Sequence, residues 1–188
     1  MVVYFRNLLI LIAALFPFAA FSAATAWKIV PEKSIINFTA TQNNSPVAGK
    51  FNSFSGDISF SPSDLATSKI NITIYTGSVS ASSDDVSSTL KSDDWFAIKP
   101  FPKAIFSADK FTKIDEKNYK AEGKLTLRDK TIPTTLNFTL EQFSEHAAKV
   151  KGYTTLKRND FGVGQGEWSK TDSIKDEVKV EFVIEATK

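Results

Sequence analysis

Apolar and polar residues alternate along most of this chain after residue 26. Ile70, Ile72 and Ile74 are separated by more polar neighbours, and the same pattern recurs at 136–140 and 178–184. Successive side chains of a β-strand point to opposite faces, so a period of two is typical of a strand with one buried and one solvated face. The pattern therefore predicts an all-β protein.

The predicted strands are long and follow one another closely. They cover the segments 34–41, 47–60, 70–75, 103–111, 124–127, 136–141, 147–158 and 178–184. Turn-forming residues near 61, 114 and 128 indicate that neighbouring strands are antiparallel. One short helix is predicted over 84–92, where serines and acids open the segment and Val86 and Leu90 are four residues apart.

About eight strands with one apolar face each favour a closed antiparallel barrel, because an open sheet of this size leaves edges to protect. A sandwich of two sheets is the alternative. An eight-stranded barrel either fills its interior with side chains or holds one small ligand, and alternation alone does not separate these cases. The chain has no cysteine, so burial and hydrogen bonds must stabilise the fold without disulfides.

The first 26 residues have the pattern of a secretory signal peptide. Arg6 precedes an apolar run from Leu8 to Phe21, and Ala24-Thr25-Ala26 is a cleavage site of the small-x-small type. The apolar run is interrupted by Pro17 and is too short for a comfortable membrane span. We therefore expect cleavage after Ala26, a single folded domain over 27–188 and a periplasmic location.

Signatures of catalysis and of nucleic-acid binding are missing from the sequence. His146 is the one histidine, so a serine or cysteine triad and a multi-histidine metal site both lack their parts. The lysines are scattered singly along polar faces and form no basic stripe for phosphates. The sequence thus predicts no catalytic site, no metal site, no cofactor and no nucleic-acid partner.

The segment DDWFAIKPFPKAIF at 93–106 is an apolar loop that two prolines keep out of helix and sheet. Its Trp95, Phe96 and Phe101 gain stability only by packing on apolar surface, which the end of a barrel provides. We interpret the loop as a lid or plug. Further aromatic residues of this kind stand at Phe51, Phe54, Phe161 and Trp168. A core that merely extends into the loops is the alternative, and composition alone slightly favours it.

Arg128 and Arg158 are the arginines that follow residue 26. Arg158 shares parity with Leu156, so a continuous strand points it inward, with Asp160 two residues later on the same face. A buried guanidinium needs partners, because an unpaired charge is costly to bury. Arg158 and Asp160 therefore form either a structural pair that closes a barrel end or a site for the polar head of a ligand.

The order of motifs resembles the YceI-like family over nearly the whole of 27–188. The motifs are WKIVPEKSIINF, VAGKFNSFSGDISFSPSDL, DDWFAIKPFPKAIF, YKAEGKLTLRDKTIPTTLNF and LKRNDFGVGQGEW. Their combination is specific, in particular G-x-F-x-x-F-x-G, the G-x-L-T-[IL]-R hairpin and R-x-D-F-G. Many relatives carry a block with a histidine where this chain has TATQNNSPVAGKF, which argues against metal-dependent roles.

The resemblance implies a lipocalin-like, eight-stranded antiparallel barrel around a long apolar tunnel, with a polyisoprenoid or other long-chain amphiphilic lipid as the ligand. DFGVGQGEW is similar to a subgroup found beside membrane b-type cytochromes, which suits an isoprenoid quinone. By this carry-over the ligand-binding residues are Phe38, Phe51, Phe54, Ile72, Ile74, Trp95, Phe96, Phe101, Phe106, Leu125, Phe138, Arg158, Phe161 and Trp168. The alternative function is a non-catalytic subunit that docks to a membrane b-type cytochrome. The expected oligomeric state is a monomer or a homodimer.

Overall fold

The computed structural model describes residues 26–188, so the predicted signal peptide lies, apart from Ala26, outside the described residues. The strands are β1 (Ala26–Ile29), β2 (Ile35–Gln42), β3 (Ser45–Phe51), β4 (Phe54–Ser59), β5 (Lys69–Tyr75), β6 (Val79–Ala81), β7 (Lys103–Lys113), β8 (Asn118–Leu127), β9 (Lys130–Phe143), β10 (Ala147–Lys157) and β11 (Glu177–Thr187). The single α-helix of this part of the chain, α1, covers Asp84–Lys91. Within the same residues, no helix has the length and apolar character needed to cross a membrane.

The strands form one closed antiparallel sheet. Its order is β1, β4, β5, β7, β8, β9, β10 and β11, and β1 also pairs with β11 through Lys28–Thr187 and Ile29–Ala186. This last pairing returns to the first strand and closes the barrel. The remaining strands, β2, β3 and β6, extend the same sheet beside β11.

Three of the eight barrel strands consist of two shorter pieces. β1 continues into β2 across a 3-10 turn at Pro31–Lys33, β3 continues into β4 across 52–53, and β5 continues into β6 across a 3-10 turn at Thr76–Ser78. Each interruption lets a long strand bend where the barrel curves. The eleven strands therefore build eight strands of barrel wall, joined in chain order.

The first and second barrel strands are not paired along their whole length. β1 pairs with β4 at Ala26–Ser59 and Trp27–Ile58, whereas β2 pairs with β3 from Ile36–Phe51 onward. The register is lost between these pairs, because one strand makes a 3-10 turn there and the other bends at 52–53. Phe54 starts β4 at this interruption.

Two clusters of buried side chains occupy opposite ends of the barrel. The first, here called the capped end, contains Leu90, Trp95, Phe96, Phe161 and Val163. The second, here called the Phe60 end, contains Trp27, Phe60, Tyr119, Leu140 and Ala186. The clusters are opposite because Leu156 of β10 packs on the first cluster, whereas Val150, six residues earlier on the same strand, packs on the second.

The structure confirms the closed antiparallel barrel of eight strands with one short helix. The helix begins as predicted, since the hydroxyl of Ser83 accepts a hydrogen bond from the amide of Val86 at 3.3 Å and caps the first turn. Two strand predictions were wrong in detail. The segment 47–60 is broken at 52–53, and the strand predicted over 147–158 ends at Lys157 because Arg158 begins a 3-10 turn.

Candidate ligand-binding cavity

An apolar cavity of about 250 Å³ lies inside the barrel between the capped end and the Phe60 end. Its volume is close to the lower limit of about 300 Å³ that small-molecule sites show. The polar side chains on its wall are Thr134, Thr154 and Arg158. All other wall residues are aliphatic or aromatic, so the cavity suits a hydrocarbon chain rather than a polar ligand.

Several side chains that point into the barrel are only half-buried. Leu136, Phe138, Leu156 and Val180 line the cavity, yet each keeps part of its surface uncovered. Since these side chains point to the interior, the uncovered surface faces the void and not bulk solvent. A tightly filled core would bury them completely, so this barrel contains usable space.

The wall of the cavity extends along most of one strand. Val150 and Leu156 both line it, and they are six residues apart on β10. At about 3.3 Å per residue this separation corresponds to roughly 20 Å along the strand. An extended chain fits such a shape better than a compact ring system.

Aromatic packing closes the Phe60 end. The ring of Phe60 contacts those of Phe111, Tyr119 and Phe138, with centroids 5.5–5.8 Å apart. The indole N–H of Trp27 donates a hydrogen bond to the carbonyl of Phe60 at 3.0 Å. This end is therefore held by ring packing together with a satisfied buried donor.

The loop at 93–106, interpreted from the sequence as a lid or plug, covers the capped end. After α1 the chain turns back on itself, since the amides of Trp95 and Ala97 both donate to the carbonyl of Ser92, at 3.1 and 2.8 Å. Trp95 and Phe96 are buried and lie on the cavity wall. The loop therefore packs its aromatic side chains into the barrel, as the lid interpretation requires.

Arg128 fastens this loop from the tip of the β8–β9 hairpin. Its guanidinium donates to the carbonyl of Asp93 at 3.0 Å and to the carbonyl of Trp95, and it lies over the ring of Phe101 at 5.6 Å. The backbone of Arg128 has a φ of 56°, which places it in the left-handed region of a tight turn. The hairpin thus holds the loop closed over the cavity.

Arg158 is buried beneath the glycine-rich loop, with 3% of its surface exposed. Its N–H groups donate to five backbone carbonyls and to the side-chain oxygen of Asn159 at 3.1 Å. The carbonyls are those of Val163, Gly164, Lys170, Ile174 and Lys175, at 3.0–3.1 Å. A guanidinium has five N–H groups, so these partners use its full donor capacity.

The predicted pairing of Arg158 with Asp160 was wrong. β10 ends at Lys157, and the 3-10 turn that follows carries Asp160 to the exposed surface. Burial lowers the pKa of the Arg158 guanidinium, and the negative charge of Asp176 opposes part of this shift. Arg158 therefore has a structural role: it ties the loop 163–175 to the barrel rim.

The structure places most of the predicted ligand-binding residues on one cavity wall. These are Phe38, Phe51, Ile72, Ile74, Trp95, Phe96, Phe106, Leu125, Phe138, Arg158 and Phe161. Three others are absent from the wall: Phe54 lies at the interruption between β3 and β4, Phe101 packs under Arg128, and Trp168 lies behind Trp95 with ring centroids 5.9 Å apart. For all of the predicted residues, on the wall or off it, contact with a ligand stays a prediction.

Sequence reasoning missed a second set of wall residues. They are Ile36, Phe60, Ile70, Leu90, Phe111, Leu127, Leu136, Val150, Leu156, Val163, Val178, Val180, Phe182 and Ile184, among others. The alternation of apolar and polar residues could have identified those on β9 to β11, because they have the inward parity of their strands. No group of three or more potential metal-ligating side chains occurs within 26–188.

Comparison with known proteins identifies the family. Residues 27–186 match the YceI-like domain. A UPF0312 protein of Vibrio vulnificus is 30% identical over 153 residues, which span 78% of this chain and 81% of the relative.

Two solved structures resemble the fold. BcnA of Burkholderia cenocepacia superposes with a TM-score of 0.81 at 30% identity, over 85% of this chain and 99% of that one. A polyisoprenoid binding domain from Saccharophagus degradans superposes with a TM-score of 0.65 at 18% identity, over 86% and 98%. The family match covers almost all the described residues, so this chain belongs to the YceI-like domain family.

Proposed function

We propose that this protein binds a polyisoprenoid or another long-chain amphiphilic lipid inside the barrel. The observation that carries the proposal is the apolar cavity whose wall reaches from the capped end to the Phe60 end. The Saccharophagus degradans domain of similar fold, described as polyisoprenoid binding, supports the same ligand class. An isoprenoid quinone is a member of this class that suits the cavity.

Burial of hydrocarbon supplies the driving force. Each CH₂ group that leaves water gains about 0.8 kcal/mol, before the cost of ordering the chain. The polar wall residues do not combine a nucleophile with a base, because Arg158 is saturated by carbonyls and the hydroxyl of Thr134 donates to the carbonyl of Ile132 at 3.1 Å. Binding without catalysis is therefore the proposed role, in the periplasm if residues 1–26 direct export as predicted.

Docking to a membrane b-type cytochrome stays an alternative prediction. A docking subunit is expected to expose Trp95 and Trp168 and to have a filled interior. Trp95 is instead 8% exposed and Trp168 is half-buried, and the interior contains the cavity described above. These observations favour ligand binding over docking.

The test is uptake of prenyl chains of increasing length by protein stripped of lipid. Leu136→Trp should fill the middle of the cavity and reduce uptake of long chains more than of short ones, at a stability cost of about 1–3 kcal/mol. Asn137→Trp places the same ring one residue later on the outer face and is the matched control. Equal uptake by the two variants would contradict binding inside the barrel.

A further inference from the structure

The pairing of β9 with β10 stops before the two strands reach the capped end. Asn137–Tyr153 is the last pair in that direction. Beyond it, residues 130–136 stay paired with β8 and residues 154–157 stay paired with β11. The interval between these two edges, here called the slit, therefore has no ladder hydrogen bonds across it.

Cavity-lining side chains flank the slit on both edges. They are Thr134, Leu136, Thr154 and Leu156. The two threonines are, with Arg158, the polar side chains of the cavity wall. The N–H groups of Arg158 are already used by backbone carbonyls and by Asn159. The threonine hydroxyls at the slit are therefore the polar side-chain groups of the wall that a ligand can engage.

The two hydroxyls differ in their hydrogen bonds. The hydroxyl of Thr134 donates to the carbonyl of Ile132 at 3.1 Å. The hydroxyl of Thr154 has no hydrogen-bond partner within 26–188, although only 7% of this residue is exposed. Buried polar groups are almost always paired, because burial of a hydroxyl without a hydrogen bond is costly. The unpaired hydroxyl of Thr154 therefore indicates a partner that arrives with the ligand.

A ligand in the cavity can reach this hydroxyl. In the part of the chain that the structure describes, the indole nitrogen of Trp95 is the one unpaired side-chain nitrogen or oxygen that protein atoms enclose completely. The oxygen of Thr154 is unpaired as well, so it is not enclosed in this way. Thr154 has the inward parity of Leu156 and lines the cavity, so the free surface of its hydroxyl faces the void. The enclosed indole of Trp95, in contrast, is out of reach of a ligand.

We propose that the hydroxyl of Thr154 hydrogen-bonds an oxygen on the ligand's head at the slit, and that the cavity selects chains with a hydroxyl or carbonyl head. A threonine hydroxyl both donates and accepts, so it suits either head. A plain hydrocarbon leaves it unpaired. Thr154 lies near the capped side of the cavity, two residues before Leu156, so the tail extends towards the Phe60 end. This inference rests on the proposed function, since it specifies the head group of the chain bound in that cavity.

The first test compares geranylgeraniol with the hydrocarbon of the same chain, each transferred to lipid-free protein from phosphatidylcholine vesicles. Thr154→Val keeps the branched shape of the side chain and removes the hydroxyl. The variant should bind the alcohol about two- to twelvefold more weakly, which corresponds to the about 0.5–1.5 kcal/mol of one hydrogen bond. Its affinity for the hydrocarbon should not fall. Thr155→Val removes a hydroxyl one residue later, on the exposed outer face, and is the matched control.

The second test measures stability without ligand. Because Thr154→Val removes an unpaired buried hydroxyl, the lipid-free variant should unfold at a higher urea concentration than the wild type. Bound alcohol should raise the midpoint of the wild type more than that of the variant. A midpoint that falls in lipid-free Thr154→Val would mean that the hydroxyl has a structural partner in the protein, and would overturn the assignment.

The outcomes separate this inference from the function on which it rests. Thr154→Ser keeps the hydroxyl, so it should keep the wild-type preference for the alcohol over the hydrocarbon even if its packing is poorer. If the wild type binds both probes and Thr154→Val changes neither affinity, or weakens both equally, the head-group assignment is wrong while lipid binding stands. If the wild type binds neither probe, the proposed function fails and the head-group assignment fails with it.

Discussion

Replacement of Arg158 by methionine should destabilise the protein strongly. Methionine keeps much of the apolar stem of arginine and removes every donor of the guanidinium. The carbonyls of Val163, Gly164 and Ile174, which accept from Arg158 in buried hydrogen bonds at 3.0–3.1 Å, then have no donor. The carbonyls of Lys170 and Lys175 belong to exposed residues, so water can replace the guanidinium there.

The expected loss of stability in Arg158→Met follows from the three buried carbonyls that lose their donor. Each unsatisfied buried acceptor costs about 1–3 kcal/mol, so the lower end of this range gives a loss of about 3 kcal/mol in the free energy of unfolding. For a domain of this size each kcal/mol corresponds to about 2–4 °C in Tm, and we expect a drop of about 6–12 °C. Arg158→Lys should lose less, because an ammonium group still has three donors.

Urea unfolding followed by circular dichroism measures this loss, with thermal unfolding as a second readout. Lys151→Met is the matched control, because it removes a cation from the exposed face of β10, the strand that leads into Arg158. The control should unfold within about 0.5 kcal/mol of the wild type. A loss below about 1 kcal/mol in Arg158→Met would refute the structural role assigned to the guanidinium.

Three further substitutions test other parts of the structure. Asp115 accepts hydrogen bonds from the side chain of Asn118 and from the amides of Lys117 and Asn118, and these bonds lower the pKa of its carboxyl group. The stability that this carboxylate contributes is present above the pKa of the unfolded chain and is lost as the pH falls through the folded pKa. The urea midpoints of Asp115→Asn and the wild type should therefore differ near neutral pH and converge in acid. Gly123→Ala puts a Cβ 2.2 Å from the carbonyl oxygen of Ser107 and should lower the free energy of unfolding in urea by about 1–3 kcal/mol. Gly77→Ala is the control and should not lower it, because the nearest neighbour of its Cβ is 3.8 Å away. Equal urea midpoints for the two variants would contradict the close approach of β7 and β8. Arg128→Met releases the carbonyls of Asp93 and Trp95, so hydrogen exchange at the Ala97 amide should quicken, and unchanged exchange would mean that the hairpin does not fasten the loop.

The period of two predicted much of this fold because each barrel strand has one face in the core and one in solvent. It worked for β10 and β11 and for β9 as far as Leu140, beyond which the register between β9 and β10 shifts. It failed where the barrel bends. The break at 52–53 resets the alternation, so Phe51 and Phe60, at an odd and an even position, both line the cavity. Phe54 has the parity of Phe60 but is absent from the wall, because it lies at the break itself. Alternation alone does not show where a closed sheet must curve.

The partners of Arg158 were beyond sequence reasoning for a different reason. Parity pointed Arg158 inward, and the residue does lie on the cavity wall, although the strand ends one residue before it. Its partners, however, are backbone carbonyls of the loop 163–175, and every residue type carries such a carbonyl. Only the path of the loop brings these oxygens together. The unpaired indole of Trp95 is hidden in the same way, because a missing acceptor leaves no signal in the sequence.

Extraction of the protein purified from its native compartment, followed by mass spectrometry, tests the central claim most directly. We expect about one long-chain isoprenoid or related lipid per protein molecule, and much less in Leu136→Trp than in Asn137→Trp. An extract without a stoichiometric lipid, together with no uptake of added prenyl chains by the stripped protein, would contradict the account and leave the cavity without its proposed ligand.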